Sequence, residues 1–145
     1  MEDDKIQEIK KKKRSFKRYR YNLSCIVRLE EKLTLLDERL QSVRSPNMSG
    51  MPRGGTPVSN EELITDKIDL ENRIKRLKVK NAKIKSDILE EIDTLEDPRY
   101  CEVLEAYFIE CKSISDIAFD MGYSDRYIYD LYKDAINALT FSDNT

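Results

Sequence analysis

The side chains best suited to chemistry in this sequence are the cations near its start, and the chemistry they suit is the neutralisation of phosphates. Between Ile9 and Arg28 the chain has nine Lys or Arg and no acid. Phe16, Tyr19 and Tyr21 are interleaved with them, and aromatic rings can stack on bases. The predicted nucleic-acid contacts are Lys10, Lys11, Lys12, Lys13, Arg14, Lys17, Arg18 and Arg20.

Residues 1–21 form the first of three predicted segments, a basic N-terminal arm. Ile6, Ile9 and Phe16 are its apolar anchors before the tyrosines, which are too few to form a core. We therefore expect a mobile arm or a weakly ordered helix. In one interpretation the arm binds nucleic acid; in the other its charges are only solvated surface.

The chain lacks the residues that many enzyme and metal sites need. It has no His, which excludes a Ser-His-Asp or Cys-His catalytic arrangement. Cys25, Cys101 and Cys111 are odd in number and have no C-x-x-C spacing, so no zinc site is predicted. Carboxylates are plentiful but fall in no recognisable catalytic motif. We expect a protein that is not an enzyme and needs no cofactor or metal, with cysteines that pack as small apolar residues on helices.

Neither secretion nor membrane insertion is indicated. The start of the chain has no apolar signal region, and no run of about 18 apolar residues occurs. The sequence therefore predicts a cytoplasmic protein that does not contact a membrane.

Residues 22–96 carry the strongest periodic pattern, a heptad repeat with apolar residues at alternating steps of three and four in its first half and with Lys67, Asn81 and Glu91 as polar exceptions in its second. The first series is Ile26, Leu29, Leu33, Leu36, Leu40 and Val43, and the second is Leu63, Leu70, Ile74, Leu77, Ile84, Ile88 and Leu95. Two such helices joined by one loop predict a long antiparallel helical hairpin or coiled coil, which can also dimerise. Asn81 stands at an a position and is predicted to set the register.

The two series are separated by residues 45–60, which hold three of the four Pro and three of the four Gly. Proline lacks the amide donor of a helix, so the first helix should end at Ser45-Pro46 and a loop should follow. Arg53-Gly54-Gly55 in this loop offers backbone amides and one charge that suit a phosphate. The alternative for the loop is disorder.

For residues 97–145 the sequence predicts three short helices arranged as a helix-turn-helix domain. Asp97 is expected to cap the first helix, and Ser113 or Ser115 the second. In the turn Met121-Gly122-Tyr123-Ser124, Gly tolerates a positive φ and Ser caps the third helix. Recognition helices contact bases near their N-terminal end. The candidate DNA-binding residues are therefore Ser124, Asp125, Arg126, Tyr129, Asp130 and Lys133.

The third helix is predicted to bury one side and to read DNA with the other. The predicted inward residues are Ile128, Leu131, Tyr132, Ala135 and Leu139. Arg126 is the strongest candidate on the outward side, because arginine can donate two hydrogen bonds to a guanine edge or reach a phosphate.

Two stretches carry a resemblance to a known family: DPRYCEVLEAYFIE, and after it KSISDIAFDMGYSDRYIYDLYKDAINAL. The pattern I-A-x-x-M-G-Y-S, the apolar Ile128 four residues after the Ser, and a final A-x-x-x-L resemble the helix-turn-helix of sigma-factor region 4. A helical half before such an end is similar to small phage-encoded regulators of Gram-positive hosts, including the ArpU and RinA types of late-gene activator. The resemblance implies a transcription activator of phage or prophage genes that acts on DNA and can contact RNA polymerase.

The C-terminal segment is acidic, which affects how it can bind DNA. From Asp97 to Thr145 there are ten acids and four bases, a local net charge of −6 in a chain of net charge −2. Phosphate neutralisation drives much of DNA binding, so two arrangements are open. In the first, the arm supplies the phosphate contacts while Arg126 and Lys133 place the helix. In the second, the acidic helices bind a protein and only the arm contacts nucleic acid.

The whole sequence predicts an all-α protein that regulates transcription by sequence-specific binding to double-stranded DNA. We expect it to act as a homodimer, which would place two recognition helices on half-sites, in the cytoplasm of a bacterial host cell. Two other functions are open. One is a small terminase-like DNA-packaging protein, and the other is a protein-interaction module that inhibits or appropriates host RNA polymerase.

Overall fold

The computed structural model describes the backbone of residues 2–44 and 60–142 and the side chains of residues 2–42 and 60–140. The elements in these ranges are all helical, which confirms the all-α class. They are α1 (Glu2–Arg44), α2 (Asn60–Asp93), α3 (Pro98–Leu104) with a π-helical turn directly after it (Glu105–Ile109), α4 (Ile114–Met121) and α5 (Asp125–Ser142). No helix in the described ranges is long and apolar enough to cross a membrane.

The predicted loop 45–60 is described only at Asn60, where α2 begins. The phosphate contact considered for Arg53-Gly54-Gly55 lies outside the described residues. Both that contact and the alternative of disorder stay predictions.

The chain divides into two compact units. The first, here called the terminal unit, combines Met1–Asn22 with Asn81–Thr145, and the second, the hairpin unit, is Leu23–Lys80. The sequence predicts other boundaries, namely 1–21, 22–96 and 97–145. The grouping differs because the arm packs against helices that are far away in sequence.

Helix α1 begins at Glu2 and runs through the segment that the sequence predicts to be a mobile arm or a weakly ordered helix. Glu2, Asp3 and Asp4 lie in its first turn, where carboxylates interact favourably with the positive end of the helix dipole. Phe16 is only 1% exposed. The arm is an ordered helix with a buried face. Counting apolar residues within the arm misses the partner helices that supply the rest of its core.

The buried face of α1 packs against the C-terminal helices inside the terminal unit. The rings of Phe16 and Phe108 meet edge to face, with centroids 5.2 Å apart and planes at 89°. Phe108 also lies 4.9 Å from the ring of Tyr107, and the Lys13 ammonium lies 5.5 Å from the centroid of the Tyr132 ring. Edge-to-face aromatic pairs contribute about 0.5–1.5 kcal/mol beyond the burial of their area. An aromatic cluster therefore fixes α1 on α5 and the π-helical turn.

A buried polar contact joins α1 to α2 in the same unit. The Asn22 amide donates to Asn81 Oδ1 at 3.1 Å, and the Asn81 amide donates to the Tyr19 carbonyl oxygen at 3.3 Å. Further along the pair, Lys12 Nζ lies 2.9 Å from Glu91 Oε2. Residues that come later in α1 contact residues that come earlier in α2, so the two helices are antiparallel in this unit.

The hairpin unit contains the rest of α1 and the first part of α2. Its buried core side chains are Ile26, Leu29, Leu40, Leu63 and Ile74, which all belong to the predicted heptad series. Lys78 Nζ lies 2.8 Å from Glu30 Oε1, and Lys67 Nζ lies 2.9 Å from Asp37 Oδ1. These two ion pairs give the same antiparallel order inside this unit.

We expect Phe16→Ala to lower the free energy of unfolding by about 3–5 kcal/mol, because it removes a buried ring and leaves a cavity against Phe108. The matched control is Phe119→Ala, which removes the same atoms from a side chain that is 87% exposed. Its effect should stay within about 0.5 kcal/mol. Urea unfolding followed by circular dichroism measures both. Equal effects of the two substitutions would contradict the packing of Phe16.

Candidate nucleic-acid interface

Helix α3 begins at a cap that also ties it to α5. Asp97 Oδ1 accepts from the Arg99 backbone N–H at 2.9 Å, as predicted for a cap. The Arg99 guanidinium donates to Asp97 Oδ2 at 3.0 Å and to the Tyr127 hydroxyl at 2.7 Å. The Arg99 side chain and backbone N–H hold the pKa of the Asp97 carboxyl below its usual value. A lowered pKa means that this cap is complete at neutral pH and is lost as the pH falls through that pKa.

The chain leaves the π-helical turn through a strained residue. Cys111 has a φ of 60°, in the left-handed region that glycine adopts without cost. The following residue, Lys112, donates its N–H to the Ala106 carbonyl oxygen at 3.0 Å. This reversal ends the helix, and the buried Ala106 and Phe108 lie within the π-helical turn itself.

The three cysteines are free thiols of intermediate exposure. Cys101 Sγ lies 3.4 Å from the Ile92 carbonyl oxygen, and burial raises the pKa of this thiol. Within residues 2–44 and 60–142, no three His, Cys, Asp or Glu come together in a group that could hold a metal ion.

Helix α4 begins at a serine cap and is tied to the start of α5. The Ser113 hydroxyl accepts from the Asp116 N–H at 3.1 Å, so Ser113 is the cap of α4. Ser115, the other candidate cap, instead donates to Asp125 Oδ2 at 2.8 Å. One serine therefore starts α4, and the other links it to α5.

The turn between α4 and α5 depends on Gly122. Its φ is 76°, and the next residue, Tyr123, donates its N–H to the Ala118 carbonyl oxygen at 2.9 Å. This backward bond is the usual way in which a glycine ends a helix. Ile117 and Ala118 are buried and fix the short helix in place.

Helix α5 buries one side and exposes the other. The predicted inward residues Ile128, Leu131, Tyr132, Ala135 and Leu139 are all buried, which confirms that prediction. The Ser124 hydroxyl accepts from the Tyr127 N–H at 3.2 Å and caps the helix. All six candidate DNA-binding residues are exposed, namely Ser124, Asp125, Arg126, Tyr129, Asp130 and Lys133. Their contact with DNA stays a prediction.

The outward side chains of α5 interact with one another in pairs. Arg126 Nε lies 3.4 Å from Asp130 Oδ2, and the Arg126 side chain is 85% exposed. The Lys133 ammonium lies 5.4 Å from the centroid of the Tyr129 ring. Because the Arg126 contact uses Nε, its two terminal nitrogens can donate to a base edge or to a phosphate. These exposed pairs are weak enough to exchange for contacts with a ligand.

The predicted arm cations fall into two groups on α1. Lys12 and Lys13 are half-buried, and they contact Glu91 and the Tyr132 ring. The other six, Lys10, Lys11, Arg14, Lys17, Arg18 and Arg20, are exposed. The first five of these recur at helical spacing, on the side of α1 away from Phe16. The cations that can reach phosphates therefore lie along one face of an ordered helix.

Most bases of the acidic C-terminal helices are paired with acids. Three of the four bases in residues 97–145 are paired with acids, in Arg99–Asp97, Lys112–Asp120 and Arg126–Asp130. The carboxylates of Asp120 and Glu110 raise the pKa of Lys112. Most remaining acids are exposed, so this segment presents a predominantly negative surface.

A second basic run, in α2, was missed by the sequence reasoning. Between Glu71 and Asp87 the chain has seven Lys or Arg and no acid. All seven are exposed, namely Arg73, Lys75, Arg76, Lys78, Lys80, Lys83 and Lys85. The same count of charges that found the arm would have found this run.

The sequence-based prediction named Tyr129 among the exposed residues near the start of α5 but did not name Phe119 or Tyr123 as candidates. Phe119 on α4 is almost wholly exposed, and Tyr123 and Tyr129 are each about half exposed. The Tyr123 ring lies 4.6 Å from the ring of Tyr127. Ile117 and Ala118 form the buried side of α4, and at 100° per residue Phe119 lies on the opposite side, so the helical spacing marks Phe119 as a surface residue.

Comparison with protein-family models, curated proteins and solved structures gives no match for this chain.

We expect opposite effects from substitutions at the two left-handed positions. Gly122→Ala should lower the free energy of unfolding by about 1–2 kcal/mol, since alanine is strained at positive φ. No atom lies within 4 Å of the added Cβ, so strain is the whole effect. Cys111→Gly should raise the free energy of unfolding by up to about 1 kcal/mol, because it removes the same strain. Thermal and urea unfolding give both signs. A change in the free energy of unfolding with the same sign for both substitutions would contradict the assignment of backbone strain to Cys111.

Proposed function

We propose that this protein is a sequence-specific DNA-binding transcriptional regulator in which α4 and α5 act as a helix-turn-helix. The observation that carries the proposal is the division of α5, which buries its five predicted inward residues and exposes all six candidate readers. In this arrangement the N-terminal half of α5 enters the major groove. The resemblance to sigma-factor region 4 supports activation of phage or prophage genes in the cytoplasm of a bacterial host, with RNA polymerase as a further partner.

The chemistry of the outward face of α5 suits base recognition. Arg126 can donate both terminal nitrogens to the O6 and N7 acceptors of guanine. The carboxylates of Asp125 and Asp130 can accept from the N4 amino group of cytosine. The face therefore presents donors and acceptors together, as a reader of a mixed sequence requires.

Helix α1 supplies the phosphate contacts in this proposal. Lys13 of α1 contacts the ring of Tyr132 on α5. Tyr132 is three positions from Tyr129 and one from Lys133 in the sequence. The exposed cations from Lys10 to Arg18 are thus carried by a helix that is packed on the reading helix. This geometry supports the first of the two arrangements that the acidic charge leaves open, with α1 neutralising phosphates and α5 reading bases.

A protein-interaction module that binds host RNA polymerase is the second candidate function. It is favoured by the exposed Phe119 ring on α4, which stands among the carboxylates of Asp116 and Asp120. Exposed aromatic residues are enriched at protein interfaces. Retention of polymerase on the immobilised protein, combined with no retention of any DNA, would favour this function over the first.

Arg126→Ala should weaken binding to the specific site by roughly 1–3 kcal/mol if Arg126 reads a base. The site is obtained first, by sequencing the genomic fragments that the wild-type protein retains. Affinity is then measured by fluorescence anisotropy on that site and on random DNA of the same length. The control is Asn137→Ala, an exposed position about three turns further along α5. Equal losses on both DNAs would make Arg126 a phosphate contact, and no enriched fragment would refute sequence-specific binding.

Replacing the five outward cations of α1 with Gln should weaken binding to every DNA sequence. The variant carries K10Q, K11Q, R14Q, K17Q and R18Q. Each lost phosphate contact should reduce the slope of log affinity against log salt by about 0.9. The matched control carries Gln at five exposed cations of α2, namely Lys75, Arg76, Lys80, Lys83 and Lys85. An equal loss of slope in both variants would contradict the assignment of phosphate contacts to α1.

A further inference from the structure

The hairpin unit contains an open groove between α1 and α2 with an apolar middle. Leu35 and Leu36 of α1 and Leu70 of α2 form that middle. Leu35 is 63% exposed, and Leu36 and Leu70 beside it are half-buried. The middle of the groove therefore offers apolar surface that the described residues of its own unit leave exposed.

The two ends of the groove carry opposite charge. The ion pairs Lys78–Glu30 and Lys67–Asp37 fix which residues of the two helices lie level with each other. By that register Lys32 and Arg73 share one end, which has two positive charges. The other end has three acids, Asp66, Asp69 and Glu38, and one base, Arg39. Its net charge is therefore −2.

None of these charged groups forms an ion pair with any residue in the described part of the chain. Lys67 and Lys78 of α2 do form ion pairs with acids of α1, so ion pairs between these two helices are possible in this unit. The groove thus offers two positive charges, an apolar patch and two negative charges in that order along its length.

We infer that this groove binds a second copy of the same chain, with a two-fold axis through the apolar middle at Leu35 and Leu70. The inference deepens the proposed function, in which a homodimer contacts two half-sites, by naming the surface that forms the dimer. Around such an axis the positive end of each copy, Lys32 and Arg73, meets the negative end of the other, Asp66 and Asp69. Leu35 of each copy then lies against the apolar middle of the other.

A second copy fits this groove better than an unrelated partner because the charge pattern is complementary to itself. A two-fold interface uses the same surface twice, so every contact that one copy makes is repeated by the other. A groove whose ends have equal and opposite charge meets that condition when the copies run in opposite directions. An acidic or a basic partner helix would be attracted at one end and repelled at the other.

Charge reversal tests the inference by sedimentation velocity without DNA. The variant Lys32→Glu with Arg73→Glu has two negative ends, and Asp66→Lys with Asp69→Lys has two positive ends. Each variant alone should dimerise about tenfold or more weakly than the wild type, because both ends then repel. An equimolar mixture of the two variants should regain dimerisation, since a negative groove then meets a positive one. Regain in the mixture also shows that both variants are folded.

The matched control reverses two exposed charges of the hairpin unit that do not line the groove, Glu31→Lys with Lys75→Glu. It should dimerise like the wild type. A further pair compares Leu35→Asn, which should weaken dimerisation, with Val27→Asn at another exposed apolar residue, which should not. A wild-type protein that stays monomeric, variants that dimerise unchanged, or a mixture that fails to regain dimerisation overturns the inference.

The measurement separates this inference from the proposed function. A protein that dimerises as described but retains no DNA contradicts the proposed function and leaves the groove assignment intact. A protein that binds a specific site but dimerises equally well after either charge reversal contradicts the groove assignment alone.

Discussion

The contact between Phe16 and Phe108 is the one on which the rest of the terminal unit depends. It connects a helix that is otherwise mostly charged to a cluster of aromatic rings on the π-helical turn and α5. Together with the Asn22–Asn81 and Lys12–Glu91 contacts, it holds the cations of α1 in place. The cations are therefore presented on a fixed surface, so the proposed phosphate contacts would cost less conformational freedom.

The parts of this fold that could be predicted from sequence are those set by local chemistry. The heptad series gave the two long helices and most of their buried positions, because periodicity reports directly on which side of a helix faces a partner. Asp97, Ser124 and Gly122 were predicted as helix boundaries since capping depends on a few adjacent residues. The burial of Phe16 could not be predicted in this way, because its partner Phe108 lies 92 positions further along the chain.

The candidate interface shows the same limit. The exposed side of α5 followed from the spacing of its apolar residues, so all six candidate readers could be named in advance. The half-burial of Lys12 and Lys13 could not be predicted, since their partners Glu91 and the Tyr132 ring lie far along the chain. The left-handed Cys111 was equally invisible, because a cysteine carries no signal for positive φ and tertiary packing imposes it. The α2 cations, by contrast, are visible in the sequence as a run of seven Lys or Arg without an acid.

The buried pair of Asn22 and Asn81 has a consequence for how the two long helices find each other. Heptad cores tolerate a slip of seven residues, because each apolar residue meets another apolar residue after the slip. A slip in one direction would place Asn22 opposite Ile88 and Asn81 opposite Leu29, which leaves two buried amides without partners. Each unpaired amide costs about 1–3 kcal/mol, a large share of the stability of a small domain. The asparagine pair therefore disfavours misaligned pairings of the two helices.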